Sequence, residues 1–499
     1  MKKNIKKQVL GFLLLIGLIG CTKDFEEINQ STDLPAETPP SALLKSVIFD
    51  PINPSLNLQL KFTGQVMQYL VFSNASSFDR YQFSSDTGVT DAYWAAAYKA
   101  IRDARTLESI ADGDSGYLAA VKILTAYNYA MLSDLWIDVP AVESGYPSEN
   151  TSPKYDNQQE IFTLILNNLK EANEMLANSD QNFEKGGDIL FKGDVMRWRK
   201  MANSLRLKYL LRVSEPGKYV SSQSEFEAII ADPATYPIIT SNEDQAVYDI
   251  SGIAPDVSDF ATSTTLTGIT LSQRFIDQFV NGTNTSSADT DDDDPRFAFF
   301  ATKSDPANTD AYVGIVSGGT EATAKTVADL PNSVKLKPIF QQDKGLLDYG
   351  YITHAELQFI LAEAKLKGWA LPLTTKEYFD AGVTANFDFW GIEMPVNFLE
   401  RMDVSITGNG ASNDEQLERV FQQKWVAGFA INMFDIWADK KRTDKPALNI
   451  GVEANTIHNT VPTRMFYPIL EKTVNATNYN AASSNIGGDN ITTPQWYQN

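Results

Sequence analysis

Aromatic and polar side chains cluster within residues 72–90, a stretch rich in Ser, Thr and Asp that lacks helical periodicity. Ring faces stack on the apolar C–H faces of pyranose sugars, while amide, carboxylate and guanidinium groups hydrogen-bond to hydroxyls. The composition therefore predicts a loop that contacts a ligand through Asn74, Phe78, Asp79, Arg80, Tyr81 and Phe83. The alternative is that these rings pack down onto their own domain.

Trp390, within NFDFWGIEMP, is a second candidate for ligand contact because residues 385–412 have a similar loop composition. Four other tryptophans fall on apolar faces at helical spacing. They are predicted to be core residues: Trp94, Trp136, Trp198 and Trp425.

Histidine and cysteine, which supply most transition-metal ligands and many catalytic groups, are sparse, with two and one in the chain. The acidic run Asp289–Asp294 could gather Ca²⁺, but its spacing is not that of an EF-hand loop, and charge runs are usually solvated. His354 and His458 are far apart, and neither lies near a Gly-x-Ser-x-Gly turn. We expect no metal, no cofactor and no catalytic residue. A glycoside hydrolase is the enzymatic alternative, since it needs only two carboxylates, and a helical adhesin is a third class.

The first twenty residues are predicted to be a signal peptide. Four lysines precede the apolar stretch VLGFLLLIGLIG, which is too short to span a bilayer. The stretch ends in LIGC, which resembles a bacterial lipobox. Cys21 is the only cysteine of the chain, so no intrachain disulfide can form. We expect the Cys21 thiol to be acylated and to anchor the mature chain in a membrane.

The charge balance limits the class of partner. The chain carries 63 acidic and 42 basic residues, a formal net charge of −21, which repels nucleic acid and anionic lipid. A neutral or cationic ligand is favoured. Residues 22–44 are polar and contain prolines, as a tether does. The predicted organisation is a signal peptide over 1–20, a lipidated tether over 21–44 and a single domain over 45–499.

Helical periodicity recurs along that domain. Apolar residues repeat every three or four positions in 91–111, 117–136, 161–176, 198–209, 355–366 and 417–429. The segments come in pairs joined by short breaks, which predicts a mainly α fold that resembles helical repeats. Long stretches without this pattern, at 238–268, 280–334 and 385–412, are predicted to be loops, with a short strand near Tyr312–Val316.

Five segments, in order along the chain, carry a recognisable pattern. They are YWAAAYKAIRDARTLE (93–108), AAVKILTAYNYAMLSDLWIDVPAV (119–142), RWRKMANSLRLKYLLRVS (197–214), YITHAELQFILAEAKLKGW (351–369) and a final part made of 417–446 with 462–482. Together they resemble the SusD/RagB family of outer-membrane nutrient-binding lipoproteins. The chain departs from the family pattern at Ile137, where a glycine is usual, and at Lys441-Arg442, where two arginines are usual.

This resemblance implies a scaffold of four tetratricopeptide-like helix pairs with long ligand-binding loops. It also implies a lipid-anchored, surface-exposed protein that binds an oligosaccharide and passes it to a SusC-like TonB-dependent transporter in the outer membrane. Peptide uptake of the RagB type is the alternative within the family.

Overall fold

The computed structural model describes residues 38–73, 78–82, 88–111, 113–146, 150–178, 186–258, 260, 268–280, 293–449 and 460–498. Several residues named above lie outside these ranges: Cys21, Asn74, Phe83, Asp289–Asp292 and His458.

Helices dominate the described chain. The longer ones are α1 (Pro40–Phe49), α2 (Ile52–Leu58), α3 (Gly88–Ile110), α4 (Ser115–Trp136), α5 (Gln158–Ala177), α6 (Val195–Arg212), α7 (Ser222–Ala231), α8 (Glu321–Ala328), α9 (His354–Leu366), α10 (Thr375–Trp390), α11 (Asn413–Gly428), α12 (Met433–Thr443) and α13 (Ala476–Asn485). Shorter helical turns cover Gln59–Thr63, Gly64–Val66, Gln273–Ile276, Arg296–Phe300, Ile339–Gln342, Phe398–Glu400, Gly408–Gly410 and Ile469–Val474.

Four helix pairs follow one another: α3 with α4, α5 with α6, α9 with α10, and α11 with α12. Helix α4 also packs on α5, α6 on α9, and α9 on α11, so the pairs form one stack. The mainly α fold is confirmed, and each predicted helical segment corresponds to one of these helices. The four tryptophans predicted to be core residues are all buried.

Local signals fix the ends of these helices. The Asp114 carboxylate accepts hydrogen bonds from Gly116 and Tyr117 N–H at the start of α4. Capping boxes begin α5, α10 and α11, where a side chain caps the first turn and a glutamate three residues on returns the bond. Gly368, with φ +85°, follows α9 and supplies the left-handed conformation that ends a helix.

The short strands lie outside the segments with helical periodicity, and two of them fall wholly within the predicted loops at 238–268 and 280–334. Strands β1 (Leu70–Phe72), β3 (Ile269–Leu271), β5 (Val334–Leu336) and β4 (Ala301–Lys303) form an antiparallel sheet in that order, and β2 (Ala246–Tyr248) pairs with β6 (Tyr349–Ile352). The strand expected at Tyr312–Val316 is reduced to single bridges at Val313 and Ile315. Helix α1 starts at Pro40, inside the range predicted as tether, and its Leu44 is fully buried.

A buried network of charges crosses the stack of helix pairs. Arg212 on α6 bonds to Asp134 on α4 and, at 2.7 Å, to Asp435 on α12. The other oxygen of Asp435 accepts from Lys208 at 2.7 Å, and Lys208 lies 3.3 Å from Glu356 on α9. Ion pairs thus join helices from all four pairs, and each charge has a partner of opposite sign.

Candidate functional site

The loop predicted to bind ligand turns its tyrosine inward. Tyr81 has φ +55° and is 1% exposed. Its hydroxyl donates to the Val66 carbonyl at 3.2 Å and lies 3.3 Å from the Gln68 amide nitrogen. A ring with this burial cannot stack on a sugar, so the expectation for Tyr81 needs correction. The physical reason is the left-handed turn, which directs the side chain into the core.

The other described residues of this loop differ in exposure. Phe78 is half-buried and meets the Phe62 ring edge-on at 5.5 Å. Asp79 is buried and accepts a hydrogen bond from the Gly318 N–H at 3.2 Å, and burial raises the pKa of its carboxyl. Arg80 is half-buried. The ligand role of Phe78, Asp79 and Arg80 stays a prediction, as does that of Asn74 and Phe83.

Trp390 is the last residue of α10 and does not lie in a loop. Its ring is half-buried, with centroids 5.3 Å from both Phe299 and Phe300 and 5.2 Å from Phe389. Gly391, with φ +63°, caps the helix directly after it. The indole therefore packs mainly on its own domain, and only part of its surface is available to a ligand.

The described part of the acidic run and His354 both have contacts that are explained by the fold. Asp294, the last residue of the acidic run, forms a buried ion pair with Arg296, which gives this carboxylate a structural role. His354 starts α9, and burial lowers its pKa. Within the described ranges, no group of three or more His, Cys, Asp or Glu residues is placed to hold a metal ion.

A cleft of about 800 Å³, here called the aromatic cleft, opens between α3 and the chain that connects α4 to α5. Three aromatic rings line it, from Trp94 and Tyr98 on α3 and Tyr146 on the connection. Polar side chains complete the lining: Arg102, Ser144, Asn150, Thr151 and Glu471. Rings beside hydrogen-bonding groups are what a sugar site requires.

Packing holds these rings in place. Trp94 meets Trp136 edge-on at 4.9 Å and Tyr98 at 4.8 Å, and it is 8% exposed. The Tyr98 hydroxyl donates to the Pro140 carbonyl at 2.8 Å. Gly145 has φ +86°, and a Cβ there would lie 2.8 Å from Arg105 Cγ, so only glycine allows this close approach beside Tyr146. The cleft is therefore largely preformed.

The electrostatics of the aromatic cleft suit a neutral ligand. Its lining carries one cation, Arg102, and one anion, Glu471. Behind it, the Tyr155 hydroxyl donates to Glu471 Oε2 at 2.7 Å. Burial, and then the Glu471 charge, raise the pKa of Tyr155, so this phenol stays protonated. Polar groups can then orient a ligand while rings supply contact area.

A family model described as SusD-like, starch-binding and associating with the outer membrane, matches residues 31–468. The chain belongs to this family. No curated protein sequence matches it. A SusD homologue of Bacteroides fragilis is 22% identical, with a TM-score of 0.76 over 93% of this chain and 99% of that one. A chitin-binding SusD homologue of Flavobacterium johnsoniae is 19% identical, with a TM-score of 0.74 over 92% and 97%.

These similarities show that the chain has the fold of the solved SusD homologues. A SusD-like protein of Bacteroides thetaiotaomicron, 22% identical, adds a TM-score of 0.75 over 92% of this chain and 99% of that one. The resemblance drawn from the five segments is thereby confirmed. Among the described residues of this SusD-like chain, no helix is long and apolar enough to cross a membrane.

Sequence reasoning missed Tyr146, Asn150 and Glu471 as residues of one cleft. Tyr146 and Asn150 lie in a connection with no periodic pattern, and Glu471 comes from a part of the chain more than three hundred positions later. Trp94 is predicted to be a core residue, and the structure places it both in the core and at the edge of the cleft. The available signal was the sequence SGY at 144–146, where a glycine in a stretch without helical periodicity directly precedes an aromatic residue.

Proposed function

We propose that this SusD-like chain is a lipid-anchored, cell-surface protein that binds oligosaccharides and delivers them unaltered to a SusC-like TonB-dependent transporter. The observation that carries the proposal is the preformed aromatic cleft, found in a member of a starch-binding family. Starch and chitin, which relatives are described as binding, are built of neutral pyranose rings. Rings with mixed polar groups and balanced charge fit such a ligand.

Tyr146 is the residue through which the proposal is tested, because Trp94 also packs in the core. We expect Tyr146→Ala to raise the dissociation constant for a bound oligosaccharide about tenfold, since a stacked ring contributes on the order of 1.4 kcal/mol. Tyr146→Phe, which keeps the ring, should stay close to wild type. Isothermal titration with neutral trisaccharides of starch, cellulose, xylan, mannan and chitin measures this.

Two further variants sharpen the Tyr146 test. Tyr236→Ala, which removes a half-buried ring outside the aromatic cleft, is the matched control and should not change affinity. Phe78→Ala tests the loop that the sequence predicted. Loss of binding in Phe78→Ala with none in Tyr146→Ala would move the site to that loop. Binding of an oligopeptide panel in place of glycans would favour the peptide-uptake alternative.

The same samples separate binding from catalysis. We propose that Glu471 and the other carboxylates of this chain do not hydrolyse glycans, so the bound trisaccharides should release no new reducing ends. Turnover that survives purification to homogeneity and disappears in Glu471→Gln would contradict a pure binding function and favour a glycoside hydrolase.

Cys21 is proposed to carry the anchor. In the bacterial host, we expect wild-type chain in the outer-membrane fraction and Cys21→Ala chain in the soluble fraction, because the acyl groups would supply the membrane affinity. Immunoblots of fractionated cells measure this distribution. A TonB-dependent barrel should co-purify with the acylated chain from detergent extracts. Membrane retention of the Cys21→Ala chain would contradict the anchor, and absence of any barrel would contradict the delivery step.

A further inference from the structure

A second cleft, here called the terminal cleft, lies where the connection between α4 and α5 begins and ends. It has a volume of about 1040 Å³ and is lined by the end of α4, the start of α5 and the C-terminal segment: Ile137, Asp138, Asn157, Gln158, Gln159, Asn485, Ile486, Thr493, Pro494 and Trp496. An antiparallel bridge joins Val139 to Asp156, the residues next to Asp138 and Asn157 of the terminal cleft, and Pro140, directly after Val139, lines the aromatic cleft.

Asp138 is the charged group of the terminal cleft. Its side chain is 5% exposed, and one oxygen accepts the Gln158 N–H at 3.0 Å. Within the described part of the chain, no donor bonds to the second oxygen. That oxygen is reached from the cleft, so water or a ligand hydroxyl can bond to it there.

Three hydrogen bonds fix the side chain of Gln158, which lines the terminal cleft. Its amide nitrogen donates to the Ser133 carbonyl at 3.1 Å and to Gln495 Oε1 at 2.6 Å, and its amide oxygen accepts from the Trp496 N–H at 2.6 Å. These bonds place the half-buried Trp496 ring and the Asp138 carboxylate at the same cleft. The groups that line the terminal cleft are therefore held in place before a ligand binds.

Ile137, which lines the terminal cleft, has an unusual backbone conformation. It has φ +74° and ψ −93°, a conformation that costs a β-branched residue roughly 1–3 kcal/mol. Its N–H donates to the Ser133 carbonyl and its carbonyl accepts from the Ser133 hydroxyl, both at 2.7 Å. This tight turn carries the chain directly into Asp138.

We infer that the terminal cleft is a second binding site, for one end of a neutral glycan, in which Trp496 stacks on a pyranose ring and Asp138 accepts its hydroxyls. The inference rests on the proposed function for its ligand class. The described lining contains no Lys or Arg, which disfavours anions, while Asn157, Gln159 and Asn485 offer amide donors and acceptors. Because residues of the α4–α5 connection line both clefts, a long glycan chain can be held at two points.

The pKa of Asp138 gives the site a pH signature. Burial raises this pKa to about 6, the Gln158 N–H and Arg464 oppose the rise, and Glu160 and Asp156 reinforce it. A carboxylate accepts hydroxyl bonds better than a protonated acid, so affinity at the terminal cleft should fall as the pH drops through 6. From pH 7.5 to pH 5 the ionised fraction of such a group falls about tenfold, and the affinity should follow.

Titration of the mature chain with the neutral trisaccharide that binds best tests this inference. We expect two sites per chain. Trp496→Ala and Asp138→Asn should remove or weaken one of them at least fivefold, whereas Tyr146→Ala should affect the other. Trp496→Phe should retain both, and Asp138→Asn should abolish the pH dependence while keeping the acceptor for Gln158. Thermal unfolding of each variant checks that it is folded.

The outcomes separate the inference from the proposed function. One site per chain that is lost in Tyr146→Ala and unchanged in Trp496→Ala and Asp138→Asn would overturn the second site and leave the proposed function intact. Failure of every trisaccharide to bind wild-type chain would overturn both. Preferential binding of a cationic glucosamine trisaccharide at the terminal cleft would overturn the neutral ligand class.

Discussion

Replacement of Arg212 by Met should lower the free energy of unfolding by about 3–5 kcal/mol, because it leaves the buried carboxylates of Asp134 and Asp435 without their guanidinium partner. The side chain of Arg212 is 2% exposed, that of Asp134 is fully buried, and that of Asp435 is 6% exposed. Urea unfolding followed by tryptophan fluorescence measures the change.

A matched control distinguishes the buried Arg212 network from a surface ion pair. Lys122 pairs with Glu171 at 2.9 Å, but the Glu171 side chain is 54% exposed, so Lys122→Met should cost less than about 1 kcal/mol. The double variant Asp134→Asn/Arg212→Met should lose less stability than Arg212→Met alone, since it removes one of the unpaired charges. Equal losses in the single variant and the surface control would contradict a stabilising role for the network.

Ion pairs of α12 give stability a definite pH dependence. Asp435 belongs to the network of Arg212, and Asp439 pairs with Lys424 at 2.6 Å and with Arg442 at 2.8 Å. Burial alone would raise the pKa of Asp439, but Lys424 and Arg442 lower it to about 2, and Lys208 and Arg212 lower that of Asp435 in the same way. A carboxyl whose folded pKa lies below its unfolded value stabilises the fold above about pH 4, where the unfolded chain is ionised. Stability should therefore be lost as the pH falls from about 5 towards 2.

The helices could be predicted from the sequence because their signals are local. Apolar spacing and capping residues lie within each segment, as in α10, where Thr374 and Glu377 form a capping box before the helix. Local patterns could not predict whether the charged side chains of α6 are buried or exposed. Lys208 and Arg212 look like solvent-facing residues of a basic helix, yet both are buried because Asp435, more than two hundred positions later, pairs with them.

The site was harder to predict than the fold for the same reason. The residues around Tyr81 have the composition of a ligand-binding loop. The contacts of Tyr81 with Val66 and Gln68, however, depend on a left-handed backbone turn, which composition does not reveal. The composition of 385–412 predicts that Trp390 lies in a loop. Glycine is a common helix terminator, however, and Gly391 directly after Trp390 ends α10. The aromatic cleft combines α3 with Glu471, and no local pattern links parts of the chain so far apart.

Arg296 is expected to have a comparable effect on stability at a separate place in the fold. Its fully buried guanidinium bonds to Asp294 through Nε at 3.0 Å and Nη2 at 2.6 Å, to Asn386 at 2.8 Å and to Gln423 at 2.8 Å. It also lies 4.5 Å from the centroid of the Phe387 ring. The short helix Arg296–Phe300 is thereby fastened to α10 and α11, which belong to different helix pairs.

Arg296→Met should therefore lower the free energy of unfolding by about 3–5 kcal/mol, measured by urea unfolding, because Asp294 and two buried amides lose their donor together. Arg296→Lys should recover only part of this, since an ammonium cannot form the two-pronged bond to Asp294. Arg401→Met is the matched control: Arg401 also lies near an aromatic ring, that of Phe398, but its partner Asp403 is 61% exposed. A control loss as large as that of Arg296→Met would show that ring contact, not the buried hydrogen bonds, holds this junction together.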